Sequence, residues 1–220
     1  MLTIWGRASS VNVQKVLWAA DELGLAYERI DVGGPYGGND TAEYRALNPN
    51  GVVPTLRDSA GPDGRPLTIW ESHAILRYLA AAYSPTGHDA SGDGLWPRDL
   101  AMRADADRWM DWVHTSLHEP ARTLFWGLIR DPAGTTPAAM QKAEADAATL
   151  WTRLEAWFAR DDRPFIAGSR LTIGDIPLGC QVQRWLSFPL QRPALPRLEA
   201  WHKRLTARPG YRAHVMVKMV

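Results

Sequence analysis

The stretch Asn48-Pro49-Asn50-Gly51-Val52-Val53-Pro54, followed by Thr55 and Leu56, restricts this chain more than any other. A Pro-Asn-Gly turn runs into a β-branched pair, then a second proline, then a short apolar strand. Proline has no amide donor and belongs at the first position of a strand or on an edge. Pro54 therefore marks a strand start, and Val53-Pro54 is a candidate cis peptide. Such a corner leaves the Val53 amide and carbonyl without ladder partners, open to an extended ligand that adds one more strand. Farther on, Trp70-Glu71-Ser72-His73-Ala74-Ile75 turns a strand into a helix. A helix start carrying Ser72 and unpaired amides is an anion site. Together the two pieces read as a clamp for a small peptide with a carboxylate.

The surrounding periodicity places this clamp in an α/β unit. Leu2 to Trp5 alternates as a strand; Val13, Val16, Leu17, Ala20 and Leu23 then share one helix face that Gly24 ends. Tyr27 to Val32 alternates again, a short helix covers Thr41 to Ala46, and two further strands run over Thr55 to Arg57 and Leu67 to Trp70. Ile75, Leu76 and Leu79 mark a closing helix. A β-α-β unit followed by a hairpin and a covering helix, over residues 1–83, has the thioredoxin-like order of elements, which periodicity alone does not single out from other α/β folds. The loop Gly33-Gly34-Pro35-Tyr36-Gly37-Gly38 fits neither phosphate-binding glycine spacing and reads as a mobile surface loop.

Residues 84–98, rich in Gly, Pro, Ser and Asp, read as a linker, and 99–220 read as all-helical. A long helix is expected from Asp99 to about Ile129 with a kink at Pro120. Others follow over Pro137 to Arg160 and Leu195 to Ala207. Thr172-Ile173-Gly174-Asp175 has the form of a capping box, with aspartate in place of glutamate. The last dozen residues read as a basic tail.

Composition narrows the function. With 45% hydrophobic residues and eleven tryptophans there is apolar surface for a proper core, and a formal charge of +1 announces no nucleic-acid partner. The basic tail lacks the aromatic interleaving of a nucleic-acid patch. No run has the length of a membrane span or the form of a signal peptide, so a cytoplasmic protein without membrane contact is expected. A single cysteine, Cys180, excludes a disulfide framework and a Cys-x-x-Cys pair. His114, His118 and Glu119 do not have the zincin order, in which the glutamate lies between the histidines, and they lack a third ligand; no metal is expected.

The Asn-Pro-x-Gly-x-Val-Pro corner, followed by Glu-Ser and an Ala-Ile-x-x-Tyr-Leu helix, resembles the glutathione transferases, and the resemblance runs the length of the chain. Gly168 and Asp175 match the capping motif that opens the buried central helix of that family's C-terminal domain. The resemblance implies a bacterial theta-like transferase, a thioredoxin-like domain joined to an all-α domain, glutathione as co-substrate and a homodimer. It places Val53 and Pro54 against the cysteinyl unit of glutathione, Glu71 on the γ-glutamyl ammonium and Ser72 on the γ-glutamyl carboxylate. Val52 stands where the family often has lysine or glutamine, which leaves Asn50 and Asp40 near the glycyl end without an assigned role.

Such an enzyme ionises a thiol whose free pKa is about 8.5, and lowering it by roughly two units takes about 2.7 kcal/mol. One hydroxyl donating to the thiolate supplies roughly 1.5–3 kcal/mol. Ser9, Ser10 and Asn12 lie where the first strand passes into the first helix, and Arg7 stands close by. Counted back from Gly24, Ser10 falls where theta-like and zeta-like transferases carry their catalytic serine, with Asn12 where those families have proline or cysteine. Tyr27 is too late for a tyrosine-type class, and a cysteine is missing from the first half. Trp109, Trp112, Arg122, Phe125, Trp126 and Arg130 are the candidates for the electrophile pocket. Arginines there suit a small anion such as a haloacid, alongside neutral alkyl halides. The alternative is a chain of the same shape that binds glutathione or a protein partner and catalyses nothing.

Overall fold

The computed structural model describes residues 1–84 and 94–220. The N-terminal unit carries strands β1 (Leu2–Trp5), β2 (Tyr27–Ile30), β3 (Thr55–Asp58) and β4 (Leu67–Trp70), with helices α1 (Val11–Glu22), α2 (Ala42–Leu47) and α3 (Ser72–Tyr83). The sheet order is β2-β1-β3-β4. β1 and β2 are parallel, with Trp5 opposite Ile30, as a strand-helix-strand connection requires. β3 runs antiparallel to β1, with Trp5 opposite Thr55, and β4 antiparallel to β3. Leu2, Ile4, Val13, Val16, Leu17, Leu56, Ile75 and Leu79 form the core between the sheet and the pair α1 and α3. This is the thioredoxin-like βαβαββα unit expected of the first 83 residues.

The C-terminal unit is helical: α4 (Leu100–Trp112), α5 (His118–Phe125), α6 (Pro137–Phe158), α7 (Asp175–Ser187), α8 (Pro196–Thr206) and α9 (Pro209–His214). The long helix expected from Asp99 onwards is a composite. π-helical turns at Val113–Leu117 and Trp126–Arg130 flank α5. The first lies directly before Pro120, whose missing amide interrupts the regular ladder. The expected linker 84–98 falls largely outside the described residues.

The expected basic tail is instead part of the fold. Tyr211 is fully buried in α9, donates to the Gly179 carbonyl at 2.8 Å and meets Trp18 edge-on at 4.8 Å. Arg208 pairs with Glu22, His214 lies 2.9 Å from Asp21, and Arg212 donates to the carbonyls of Thr206 and Ala207. These basic groups are spent on α1 and on the end of α8, where cations suit the helix dipole. A Cβ on Gly179 would lie 2.7 Å from the Trp18 ring, so glycine lets α7 pack directly onto α1. Trp18 thereby joins the two units; truncating so large a buried ring costs roughly 3–5 kcal/mol.

Candidate active site

The first loop is set by backbone bonds. Gly6 donates to Ile30, Arg7 donates to Val32, and Ser10 donates to the Arg7 carbonyl at 3.1 Å. Gly6 has φ of +149°, and a Cβ there would lie 2.5 Å from Val13 and 3.1 Å from Val53. The loop consequently closes against the Val53 corner. The Val53-Pro54 peptide is cis, and Val53 makes no main-chain hydrogen bond among the described residues. Buried Asn48 and Tyr44 both donate to the Val52 carbonyl, at 2.8 and 2.7 Å, and fix the turn from beneath. Among the described residues Asn50 bonds to Asn48 alone, through its main-chain amide and its side chain. Asn50, Val52 and Asp40 are exposed.

Glu71 occupies the cap position of α3 with φ of 72°, a left-handed conformation uncommon outside glycine, and its carboxylate reaches solvent. Ser72 is buried behind it. Between α3 and the start of α1 lies a lysine that its place in the chain did not single out. Lys15 is only 4% exposed. Its ammonium donates to Asn12 Oδ1 at 2.9 Å, His73 Nε2 at 3.1 Å and Ser72 Oγ at 3.5 Å. Three donors meet three neutral acceptors. Burial pulls Lys15 down to about 8, while burial followed by the Lys15 charge holds His73 neutral. Because Oδ1 of Asn12 is occupied by a cation, its NH2 group is the end left for other partners.

Ser10 stands at the cap position of α1, yet its hydroxyl accepts no helix amide. It lines a cavity of about 190 Å³ together with Arg7, Ser9 and Asn12. The far wall comes from the composite helix, through Arg122, Phe125, Trp126 and Arg130, and from Arg184 of α7. Val53, Glu71 and Ser72 lie outside this cavity. Ser72 adjoins it through its contact with Asn12 at 3.5 Å, and Val53 packs against Gly6, one residue before Arg7. Trp109 and Trp112, expected in the pocket, do not line it. Trp109 is buried edge-on between Trp112 and Trp157, at 5.2 and 5.3 Å, and α4 contributes no residue to the cavity wall. Helical spacing gave the aromatic stripe but not which stripe faced the core.

Arg7 lies over the glycine loop that was expected to be mobile. A Cβ on Gly34 would fall 3.0 Å from Arg7 Cδ and Nε. The loop is bare there because a guanidinium covers it. Burial, then the charge of Arg130, lowers the Arg7 pKa. Arg184, missed from sequence, is 8% exposed. Burial brings it down to about 10, still protonated at neutral pH. Its one sequence signal is a charge inside the otherwise buried run Ile176 to Trp185.

Comparison with known proteins agrees with this geometry. Residues 9–82 match the N-terminal domain of glutathione S-transferases and residues 108–209 the C-terminal domain. The glutathione S-transferase GstB of Escherichia coli is 37% identical, over 99% of both chains. This chain belongs to the glutathione S-transferase family. A theta-class transferase from the citrus canker pathogen Xanthomonas axonopodis pv. citri, solved with glutathione bound, is 46% identical with a TM-score of 0.88. The alignment covers 100% of this chain and 99% of that one. A plant transferase, glutathione S-transferase 3 of Zea mays, is 30% identical over 97% of this chain and 93% of its own. No helix of the described residues is long and apolar enough to cross a membrane.

Proposed function

We propose that this transferase binds glutathione along the Val53-Pro54 corner, ionises its thiol at the start of α1 and transfers the sulfur to small electrophiles, alkyl halides or haloacids. Residues 1–83 then form the glutathione-binding domain and 99–220 the electrophile-binding domain. The Ser10 hydroxyl, which makes no hydrogen bond among the described residues, carries the reading: it forgoes the capping bond, worth about 1 kcal/mol, that its position offers. It lines the cavity beside Asn12 instead.

In this reading Val53 offers main-chain groups to the cysteinyl unit, Glu71 takes the γ-glutamyl ammonium and Ser72 the γ-glutamyl carboxylate. Pro54 fixes the corner and Asn50 borders the glycyl end. Ser10 donates to the thiolate, Asn12 adds its NH2 group, Ser9 shapes the loop and Arg7 supplies a positive field. The protein works in the cytoplasm as a homodimer, clearing reactive electrophiles. The competing reading, a glutathione-binding module without catalysis, predicts no shift of the bound thiol.

The test is a pH titration of protein-bound glutathione followed by thiolate absorbance in the ultraviolet. A catalyst brings the thiol roughly two units below its free value of about 8.5, and Ser10→Ala returns one to two of them. Binding with an unshifted thiol supports the module instead.

A further inference from the structure

The cavity beside Ser10 has an unusual charge balance. Arg7, Arg122, Arg130 and Arg184 all line it, and no aspartate or glutamate does. Arg122 and Arg130 are exposed and lie over the Trp126 ring, at 5.6 and 5.8 Å. Arg184 differs from them in being buried. Its guanidinium sits 4.4 Å above the Phe125 ring, Nη2 donates to the Ser9 carbonyl at 3.4 Å, and Nε meets no partner among the described residues. A buried cation without a counter-ion is costly. Guanidinium geometry matches a carboxylate, which accepts from two of its N–H groups at once.

We propose that Arg184 is the specificity-determining residue of this site. It holds a carboxylate on the electrophile one carbon away from the atom that sulfur attacks, so that short 2-halo acids are preferred over neutral alkyl halides. The inference rests on the transferase reading above. Arg184 touches the Ser9 carbonyl, one residue from the thiolate donor Ser10, so an anion on Arg184 sets the neighbouring carbon beside the sulfur. The cavity of about 190 Å³ has room for such an acid, well below the roughly 300–1,000 Å³ of sites for drug-sized ligands. In the transfer the thiolate electron pair forms the S–C bond, the C–Br bond of a bromo acid breaks, and bromide leaves with its pair. The carboxylate is unchanged, and the thiol proton has already gone to solvent.

The probe pair is bromoacetate and bromoacetamide, alike in size and leaving group but not in charge. Each kcat/KM is divided by the rate constant of the same reaction with free glutathione. The acid should be favoured by about ten- to a hundredfold, the range of a charged hydrogen bond. Arg184→Met should abolish most of that preference, Arg184→Lys should restore part of it, and acetate should compete with bromoacetate. Since Arg184 is buried, the exposed variant Arg130→Gln provides a second reading, with a smaller loss of preference that salt in the buffer mimics. Accelerated conjugation of both probes without preference for the acid overturns the inference and leaves the transferase standing. If neither probe is conjugated faster than in free solution and the bound thiol is unshifted, both readings fall together.

Discussion

Two helix starts in this protein use similar polar residues to opposite ends. At α7, Asp175 is fully buried and its two carboxylate oxygens are saturated. Oδ1 accepts from the Ile166 amide and from Trp201 Nε1, each at 2.9 Å. Oδ2 accepts from the amide of Thr172 at 2.9 Å and from its hydroxyl at 3.1 Å. At α1, Ser10 holds the cap position but its hydroxyl accepts nothing from the helix, and among the described residues Asn12 keeps its NH2 group unbonded beside a cavity lined by cations. At α7 the fully used carboxylate ties three segments of the helical unit together. The start with donors unanswered adds little to folding and is available to a ligand. Satisfaction of the polar groups, rather than residue type, separates a structural helix terminus from a chemical one.

The largest effect expected from breaking this contrast is at Asp175. In Asp175→Asn the amide NH2 must face either the Ile166 and Trp201 donors or the Thr172 pair. A buried group left unpaired costs about 1–3 kcal/mol, so a loss of about 2–5 kcal/mol follows. For a chain of this size that lowers Tm by roughly 5–15 °C in a thermal melt. Turnover per folded molecule, measured well below the transition, should stay within about twofold. Ser10→Ala should do the reverse. Turnover of conjugation should fall about ten- to a hundredfold, while stability by chemical denaturation moves by less than about 0.5 kcal/mol. A loss of about 1 kcal/mol in stability with normal turnover would make Ser10 an ordinary cap and erase the contrast.

Most of the first domain was legible because its signals are local. The Pro54 corner, Gly24 after the first helix and the change of period at Val11 are each decided by neighbours in the chain. The capping sequence before α7 was legible in the same way, but only half of the expected box forms. The Thr172 main-chain amide donates to the Asp175 carboxylate, whereas the Asp175 amide bonds the Thr172 carbonyl rather than its hydroxyl. What stayed hidden depends on which helix face meets which. Trp109 and Trp112 share the periodicity of Phe125 and Trp126, and packing against Trp157 takes Trp109 into the core with Trp112 half-buried beside it. Lys15 and Arg184 read as ordinary cations until the α1–α3 and α1–α7 contacts bury them. The tail read as simply basic because the acidic partners of Arg208 and His214 lie nearly two hundred residues away, on α1.

The smallest effect expected is at Lys15, and it bears on how work is shared between Ser10 and Asn12. Lys15 holds Oδ1 of Asn12, which turns the NH2 group outward as a donor. Lys15→Met removes that hold, and turnover should drop a few-fold, the worth of one net hydrogen bond of about 0.5–1.5 kcal/mol. The variant also has a pH signature. Burial keeps Lys15 at about 8 in the folded chain, against roughly 10.4 when unfolded. Between those values the unfolded chain binds more protons, so the contribution of Lys15 to stability rises with pH. Chemical denaturation at about pH 7.5 and about pH 9.5 should therefore show the parent gaining on Lys15→Met as pH increases. Cys180, which burial pushes up to about 12, gives a slope of opposite sign in both proteins, and the difference cancels most of it. A loss of turnover in Lys15→Met as large as that in Ser10→Ala would make Asn12, held by Lys15, the principal donor to the thiolate.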